Sequence, residues 1–214
     1  MTIAFLVSAH TVSAGSGFHY GARAGLNGSW ITASGSDPRF DFVGGAFVTV
    51  PLNGRFSVQP EVMYIRKGGK DSQLIPYIEL NLTADFRFEY IEVPILLRYT
   101  LDTDAQISPY VYAGPSIAFN LTSYVKLETE LGQAQIDIVN MKSTDFGLTV
   151  GGGTDVALQH FSLVFDLRLT VGLGNFLKAS KPFVDDEVVA FVREDGSPPD
   201  LENGSVSFTV GLAF

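Results

Sequence analysis

The chain has 214 residues, no cysteine and a formal net charge of −9. Without cysteine it forms neither disulfides nor thiolate metal sites. Its negative charge argues against nucleic-acid binding, because too little positive charge is present to neutralise phosphates. Although 46% of the residues are hydrophobic, no uninterrupted apolar run long enough for a membrane helix follows the N-terminus. Any membrane insertion must therefore use β-strands.

The N-terminal segment, residues 1–14, resembles a secretory signal peptide. It has an apolar core and ends at Ala14, a small residue of the kind found at cleavage sites. The first basic residue is Arg23, so the positive start of such peptides is missing and we expect the signal to be incomplete. The alternative is a disordered apolar terminus. Residues 15–214 fit one large β-domain, and a single barrel domain is expected there.

Three amphipathic strands are predicted in the first third of the chain. The first covers residues 18–30, in which apolar and polar side chains alternate. The second covers residues 40–50 and leads to an Asn53-Gly54 turn, which favours a hairpin with the third strand, residues 56–64. Pro60 lies in the middle of that third strand. It predicts a bulge or a missing ladder hydrogen bond.

The middle of the chain combines two predicted strands with longer connections. A loop of residues 67–85 precedes the fourth strand, whose alternation changes phase near Tyr90 and predicts a bulge there. A short connection, residues 102–106, leads to the fifth strand. Apolar residues still alternate between residues 122 and 143. This pattern predicts strands that extend beyond the main barrel.

The last three predicted strands alternate most clearly. The sixth presents small and acidic residues between Asp145 and Asp155 on one face and apolar residues on the other. The seventh carries an unbroken apolar row from Phe161 to Leu173. After a long loop, residues 175–204, the eighth strand ends on the aromatic Phe214.

These elements predict an all-β fold: an eight-stranded antiparallel up-and-down transmembrane β-barrel with short periplasmic turns and long extracellular loops. Each strand supplies the roughly 9–11 residues that cross a bilayer. A soluble lipocalin-like carrier is the alternative, with the apolar rows turned inward around a small molecule. The apolar rows hold more large side chains than the narrow interior of such a barrel accepts, which favours the membrane barrel.

Charged residues fall on the faces that are predicted to line the barrel lumen, where an unpaired charge is costly. The predicted lumen charge network consists of Arg23, Glu61, Glu92, Arg98, Asp145, Asp155, Asp166 and Arg168. We predict that these residues pair in a plug that fixes the strand register. The alternative is the lining of a narrow, ion-selective channel.

Two further motifs are candidate functional sites. The run Asp185-Asp186-Glu187 offers oxygen ligands to Ca²⁺, but its spacing fits no calcium loop and favours a solvated acidic loop. His160-Phe161-Ser162 has a faint resemblance to lipid A deacylase barrels, but no third catalytic group can be assigned. We therefore expect no catalytic residue, no cofactor and no metal.

Three stretches, with the terminal Phe214, resemble the PorT-like outer-membrane β-barrel family of Bacteroidetes, whose members are barrels of the OmpA/OmpX type. The stretches are Tyr90–Tyr99 (YIEVPILLRY), Pro109–Pro115 (PYVYAGP) and Gly21–Asn27 (GARAGLN). The resemblance implies a bacterial outer-membrane location, contact with lipid and lipopolysaccharide, and insertion by the barrel-assembly machinery through the strand that ends at Phe214.

The same resemblance bears on the role of the protein. It does not settle the role, and the first hypothesis is a non-enzymatic barrel whose extended extracellular loops contact an envelope protein partner, a surface polymer or a secretion component. One branch of the family is associated with type IX secretion and gliding, so an accessory role in type IX secretion or surface assembly is a hypothesis. Most members of the family have no assigned role.

Overall fold

The computed structural model describes residues 17–31, 37–75, 80–101, 106–129, 132–137, 143–173 and 203–214. The regular elements in these ranges are all β-strands. No helix in this part of the chain has the length and apolar character needed to cross a membrane. The predicted signal segment, the acidic run Asp185–Glu187 and nearly all of the predicted loop 175–204 lie outside the described residues.

Nine antiparallel strands make up the described structure. They are β1 (His19–Ile31), β2 (Asp37–Asn53), β3 (Phe56–Ile75), β4 (Leu80–Thr100), β5 (Ile107–Thr129), β6 (Gly132–Asp137), β7 (Thr144–Ala157), β8 (Ser162–Gly172) and β9 (Asn203–Ala213).

Eight of these strands close into a barrel. Neighbouring strands follow the order β4-β3-β2-β1-β9-β8-β7-β5, and pairing of β4 with β5 closes the ring. The strands nearest the two termini are neighbours, and the amide of Tyr20 donates a hydrogen bond of 3.1 Å to the carbonyl of Phe214. The predicted eight-stranded antiparallel barrel is confirmed. We call the end with the termini the turn end and the opposite end the loop end.

The apolar rows face outward and the polar rows face the barrel axis. On β9, Phe208 is 52% exposed and Thr209 is 0% exposed; on β8, Leu167 is 56% exposed and Asp166 only 1%. A soluble lipocalin-like carrier requires the reverse arrangement. The structure therefore has the inside-out polarity of a barrel that is surrounded by lipid.

Three neighbouring strands continue beyond the barrel at the loop end. β3, β4 and β5 have 20, 21 and 23 residues, whereas β8 and β9 have 11 each, which is already enough to cross a bilayer. β6 pairs with the outer part of β5. We call this four-stranded projection, residues 66–75, 80–89, 122–129 and 132–137, the sheet extension. It confirms the prediction of extended strands after residue 122.

The prediction of a loop at residues 67–85 is wrong. β3 continues to Ile75 and β4 starts at Leu80, with pairing from Gly68↔Arg87 to Ile75↔Leu80. The sequence of this stretch lacks the alternation that predicts the other strands, although its backbone pairs throughout. The strand is therefore hidden from a search for amphipathic patterns.

The predicted bulge near Tyr90 lies on the neighbouring strand. The register of β4 against β5 shifts between Glu89 and Tyr90, as expected. The extra residue belongs to β5, where Leu121 and Thr122 are both exposed in succession, while β4 keeps its alternation across Tyr90. A phase change within β4 at this position is therefore not observed.

Pro60 causes no bulge. The pairs Phe47↔Glu61 and Val50↔Val58 share one register on either side of it. Of the two predicted alternatives, the bulge is therefore excluded. The other, a missing ladder hydrogen bond, holds because proline has no backbone N–H.

The β1–β9 seam leaves no room for a side chain at Gly25. A Cβ atom there would lie 1.9 Å from the carbonyl oxygen of Phe208. We expect Gly25→Val to lower the free energy of unfolding by roughly 1–3 kcal/mol, as overpacking does. Urea unfolding of the barrel in lipid vesicles, followed by heat-modifiable gel mobility, measures the effect.

The matched control is Ala24→Val on the outward face of the same strand, where the side chain is exposed. The control variant should unfold like the wild type. Equal destabilisation of the two variants would contradict the steric account of the seam.

Candidate functional site

Four charged side chains meet at the centre of the barrel interior, and we call them the interior quartet: Arg23, Glu61, Asp166 and Arg168. Arg23 pairs with Glu61 and, through Nη1, with Asp166 Oδ2 at 3.0 Å. Arg168 contacts Glu61 Oε2 at 2.9 Å and Asp166 Oδ1 at 3.2 Å. All four side chains are at most 3% exposed. Each carboxylate thus contacts both guanidinium groups, and the four charges cancel.

Small neighbours make room for Arg23 in the interior. Its cross-strand partners are Gly45 on β2 and Gly211 on β9. A Cβ atom on Gly211 would lie 2.6 Å from the Cβ of Arg23. Because neither flanking residue has a side chain, the long guanidinium side chain reaches sideways to β3 and β8 within a narrow barrel.

Two buried tyrosines complete the shell around Asp166. The hydroxyl of Tyr110 donates to Asp166 Oδ2 at 3.1 Å and that of Tyr112 donates to Oδ1 at 2.9 Å. Gln59 likewise donates to Glu61 Oε1 at 2.7 Å. Hydrogen bonds of this kind offset part of the cost of burying charge. In the sequence, these tyrosines appear only as part of the stretch Pro109–Pro115, and no partner is predicted for them.

The network continues toward the turn end through Arg98. Its Nη1 donates to Gln59 Oε1 at 3.1 Å, and its guanidinium lies 3.6 Å from the centre of the Tyr110 ring. Arg98 also pairs with Asp155 on β7. A cation over an aromatic face gains electrostatic attraction where water is excluded. The predicted residues Arg98 and Asp155 are therefore partners of each other.

Two further ion pairs lie toward the loop end, and they include residues that sequence analysis missed. Lys67 Nζ lies 2.9 Å from Glu92 Oε2, and both side chains are nearly buried. Beyond this pair, Arg39 on β2 pairs with Asp85 on β4. The sequence does carry a signal for Lys67, because this residue continues the odd-numbered inward row of β3, which includes Glu61.

Of the predicted network, Asp145 lies apart from the quartet. It is half-buried on the inner face of β7, where it pairs in the ladder with Ala118. The other seven predicted residues all take part in the ion pairs described above.

The interior side chains neutralise one another's charge, and this arrangement fits a filled barrel better than a catalytic site. Positive and negative side chains alternate through the interior, and the tyrosine rings fill the space between them. His160 lies in the exposed turn between β7 and β8, and Ser162 begins β8. Within the described ranges, no three histidine or acidic residues group closely enough to hold a metal ion.

Residues 9–178 match the family model described as "Outer membrane protein beta-barrel domain". No curated protein matches the chain. The family model does not single out the PorT-like group, so that narrower resemblance stays a prediction.

The chain is similar to several solved structures. Neisserial surface protein A (NspA) is 18% identical, with a TM-score of 0.48, over 93% of this chain and 98% of its own. Ail, the attachment invasion locus protein of Yersinia pestis, is 13% identical, with a TM-score of 0.43, over 92% of this chain and 98% of its own. OprG from Pseudomonas aeruginosa is 12% identical, with a TM-score of 0.42, over 92% of this chain and 95% of its own.

Removing one charge of the quartet leaves its partners uncompensated. We expect Glu61→Gln to lower the free energy of unfolding by roughly 3–5 kcal/mol, because two buried guanidinium groups then share one carboxylate. Urea titration in lipid vesicles, read by the fluorescence of Trp30, measures the change.

Glu89→Gln is the control, because Glu89 pairs with the half-exposed Arg66. Its effect should stay below about 1 kcal/mol. A loss for Glu61→Gln no larger than that for Glu89→Gln would show that the quartet does not hold the barrel together.

Proposed function

The chain belongs to the outer membrane protein β-barrel domain family, and on that basis we propose that it is a closed, non-enzymatic barrel whose sheet extension contacts a partner in the cell envelope. It is an eight-stranded β-barrel of the outer membrane. The observation that carries the proposal is the contrast between the barrel interior and the sheet extension. The interior holds buried charges that pair with one another, whereas the strands of the extension continue beyond the apolar rows.

The outward apolar rows mark where the bilayer ends. On β3 the row runs from Phe56 to Tyr64 and on β4 from Ile91 to Tyr99, which is nine residues on each strand and close to the length that a spanning strand needs. The next outward residues toward the loop end are Arg66 and Glu89, which pair with each other at 3.2 Å. From there β3 continues for ten residues, about 30 Å along the strand.

The extension has an edge that suits strand pairing. Among the described residues, β6 pairs with β5 alone, and its Ala134 and Gln135 are exposed. An edge strand offers unpaired N–H and C=O groups to an extended segment of another chain. This supports main-chain pairing as the mode of contact.

An accessory role in type IX secretion or surface assembly is the narrower form of the proposal. Its support is the PorT-like resemblance, and the resembling stretches build the barrel interior. They supply Arg23, Glu92, Arg98, Tyr110 and Tyr112. The resemblance therefore bears on how the barrel is sealed, and the choice of partner depends on the extension.

The second candidate function is a narrow channel, because ion pairs lie along the interior from Arg98–Asp155 to Lys67–Glu92. A filled eight-stranded barrel is favoured over an open one. We expect the purified protein to show no discrete conductance in planar bilayers, because the quartet closes the lumen. Discrete conductance that changes in Arg98→Gln would establish the channel and overturn the closed barrel.

The partner proposal is tested by site-specific cross-linking in cells. A photoreactive amino acid at Gln135, in the extension, should give a discrete adduct with an envelope protein. The same amino acid at Arg55, which is exposed at the turn end, serves as the control. Absence of an adduct at Gln135, or identical adducts at both positions, counts against the proposal.

A shortened variant separates the extension from the barrel. Residues 71–84 can be replaced by Asn-Gly, because Lys70 and Asp85 are cross-strand partners and a two-residue turn then joins them. The shortened protein should keep its heat-modifiable mobility and lose the adduct from Gln135. A folded variant that retains the adduct would exclude the β3–β4 part of the extension from the contact.

A further inference from the structure

The ladder between β2 and β3 is interrupted at the loop end. The pairs Pro38↔Gly69 and Val43↔Ile65 enclose a stretch in which residues 39–42 do not pair with β3. Side chains from β1 reach the backbone of β3 there. Asn27 Nδ2 donates to the carbonyl of Arg66 at 2.8 Å, and Ser29 Oγ accepts from the amide of Gly68 at 2.9 Å. The Arg66 carbonyl and the Gly68 amide are therefore hydrogen-bonded, although the ladder is interrupted beside them.

A cavity of about 220 Å³ lies beside this interruption. Its lining includes four cationic side chains and two carboxylates: Arg39, Arg66, Lys67, Arg87, Asp41 and Glu89. The whole chain carries a net charge of −9. Three of these cations also pair with Asp85 or Glu92, so the charges around the cavity balance. An anion can therefore bind only where it replaces a carboxylate that is held weakly.

The inner cations of the cavity are held by buried carboxylates. Asp85 pairs with Arg39 and, at 2.8 Å, with Arg87. Arg39 also pairs with Asp41, and Lys67 pairs with Glu92 at 2.9 Å. Two guanidinium groups thus share the carboxylate of Asp85. These pairs fix the back of the cavity.

Arg66 is the cation that is free to exchange partners. Its Nε lies 3.2 Å from Glu89 Oε1 and donates to the hydroxyl of Tyr64 at 2.9 Å. The side chains of Arg66 and Glu89 are 48% and 23% exposed, and pairs of this exposure are weak. As far as the described residues go, both Nη groups of Arg66 are available to a ligand. A phosphate with two negative charges outcompetes a single carboxylate for such a guanidinium.

The position of Arg66 identifies the source of the anion. It is the first outward residue after the apolar row of β3, so its guanidinium lies at the level of lipid headgroups. The loop end faces the outer leaflet, since turns and termini of such barrels lie on the periplasmic side. We propose that this cavity binds a phosphate group of an outer-leaflet glycolipid, with Arg66 and Arg87 as its ligands.

Native mass spectrometry of the full-length barrel in detergent tests the proposal. The probe is lipid A with two phosphates, titrated against wild type and variants. Arg66→Gln should weaken binding roughly fivefold, and the double variant Arg66→Gln/Arg87→Gln roughly 25-fold, since each cation near a membrane surface contributes a factor of about five. Binding should also weaken as salt is raised.

Arg55→Gln, at the turn end, is the matched control and should bind like the wild type. Lipid A without its phosphates should bind as weakly as the double variant. Wild-type affinity in Arg66→Gln/Arg87→Gln, or equal affinity for the dephosphorylated lipid, overturns the proposal. Displacement of lipid A by inorganic phosphate at equal concentration overturns the lipid headgroup as the source.

Arg87 also contacts the buried Asp85, so each variant is first checked for heat-modifiable mobility. If the Arg87→Gln variant does not fold, the test uses Arg66→Gln alone, since the Arg66 side chain is half-exposed. Wild-type affinity in that variant then overturns the proposal.

Discussion

Buried charge is costly unless it is paired, and the interior of this barrel depends on that constraint. Arg23, Glu61, Asp166 and Arg168 come from β1, β3 and β8, and they meet only in one strand register. A slip of one residue would turn each of them toward lipid. The quartet therefore specifies the register as well as the packing, while the outward apolar rows specify only which face meets the bilayer.

Alternation allowed the barrel to be predicted from the sequence because lipid on one side and a polar lumen on the other impose a period of two. Where that environment ends, the prediction fails: residues 67–75 form strand without an apolar face. The bulge was assigned to Tyr90, but the extra residue is Leu121, because one strand's pattern cannot show which partner carries the insertion. The charged lumen residues were predicted from their face, and their pairing was not, since it depends on contacts between distant strands.

The barrel and the sheet extension differ in the interactions that hold their residues in place. The stretches that carry the family resemblance supply side chains to the charged interior, including Arg23, Glu92 and Arg98. The extension continues beyond the apolar rows, and its strands pair through their backbones from β3 to β6. Family membership is informative about location and fold, while the proposed contacts lie at the phosphate cavity and the exposed strand edge.

The seam between β1 and β9 has a kinetic consequence. Its partners, such as Gly21↔Ala213, are at opposite ends of the described chain, so ring closure waits until the last strand has been synthesised. Contacts of such long sequence separation form slowly. Until the seam has formed, β1 and β9 each keep an open edge that can join another chain. The unclosed barrel is therefore the form of this protein that is most exposed to pairing with the wrong strand.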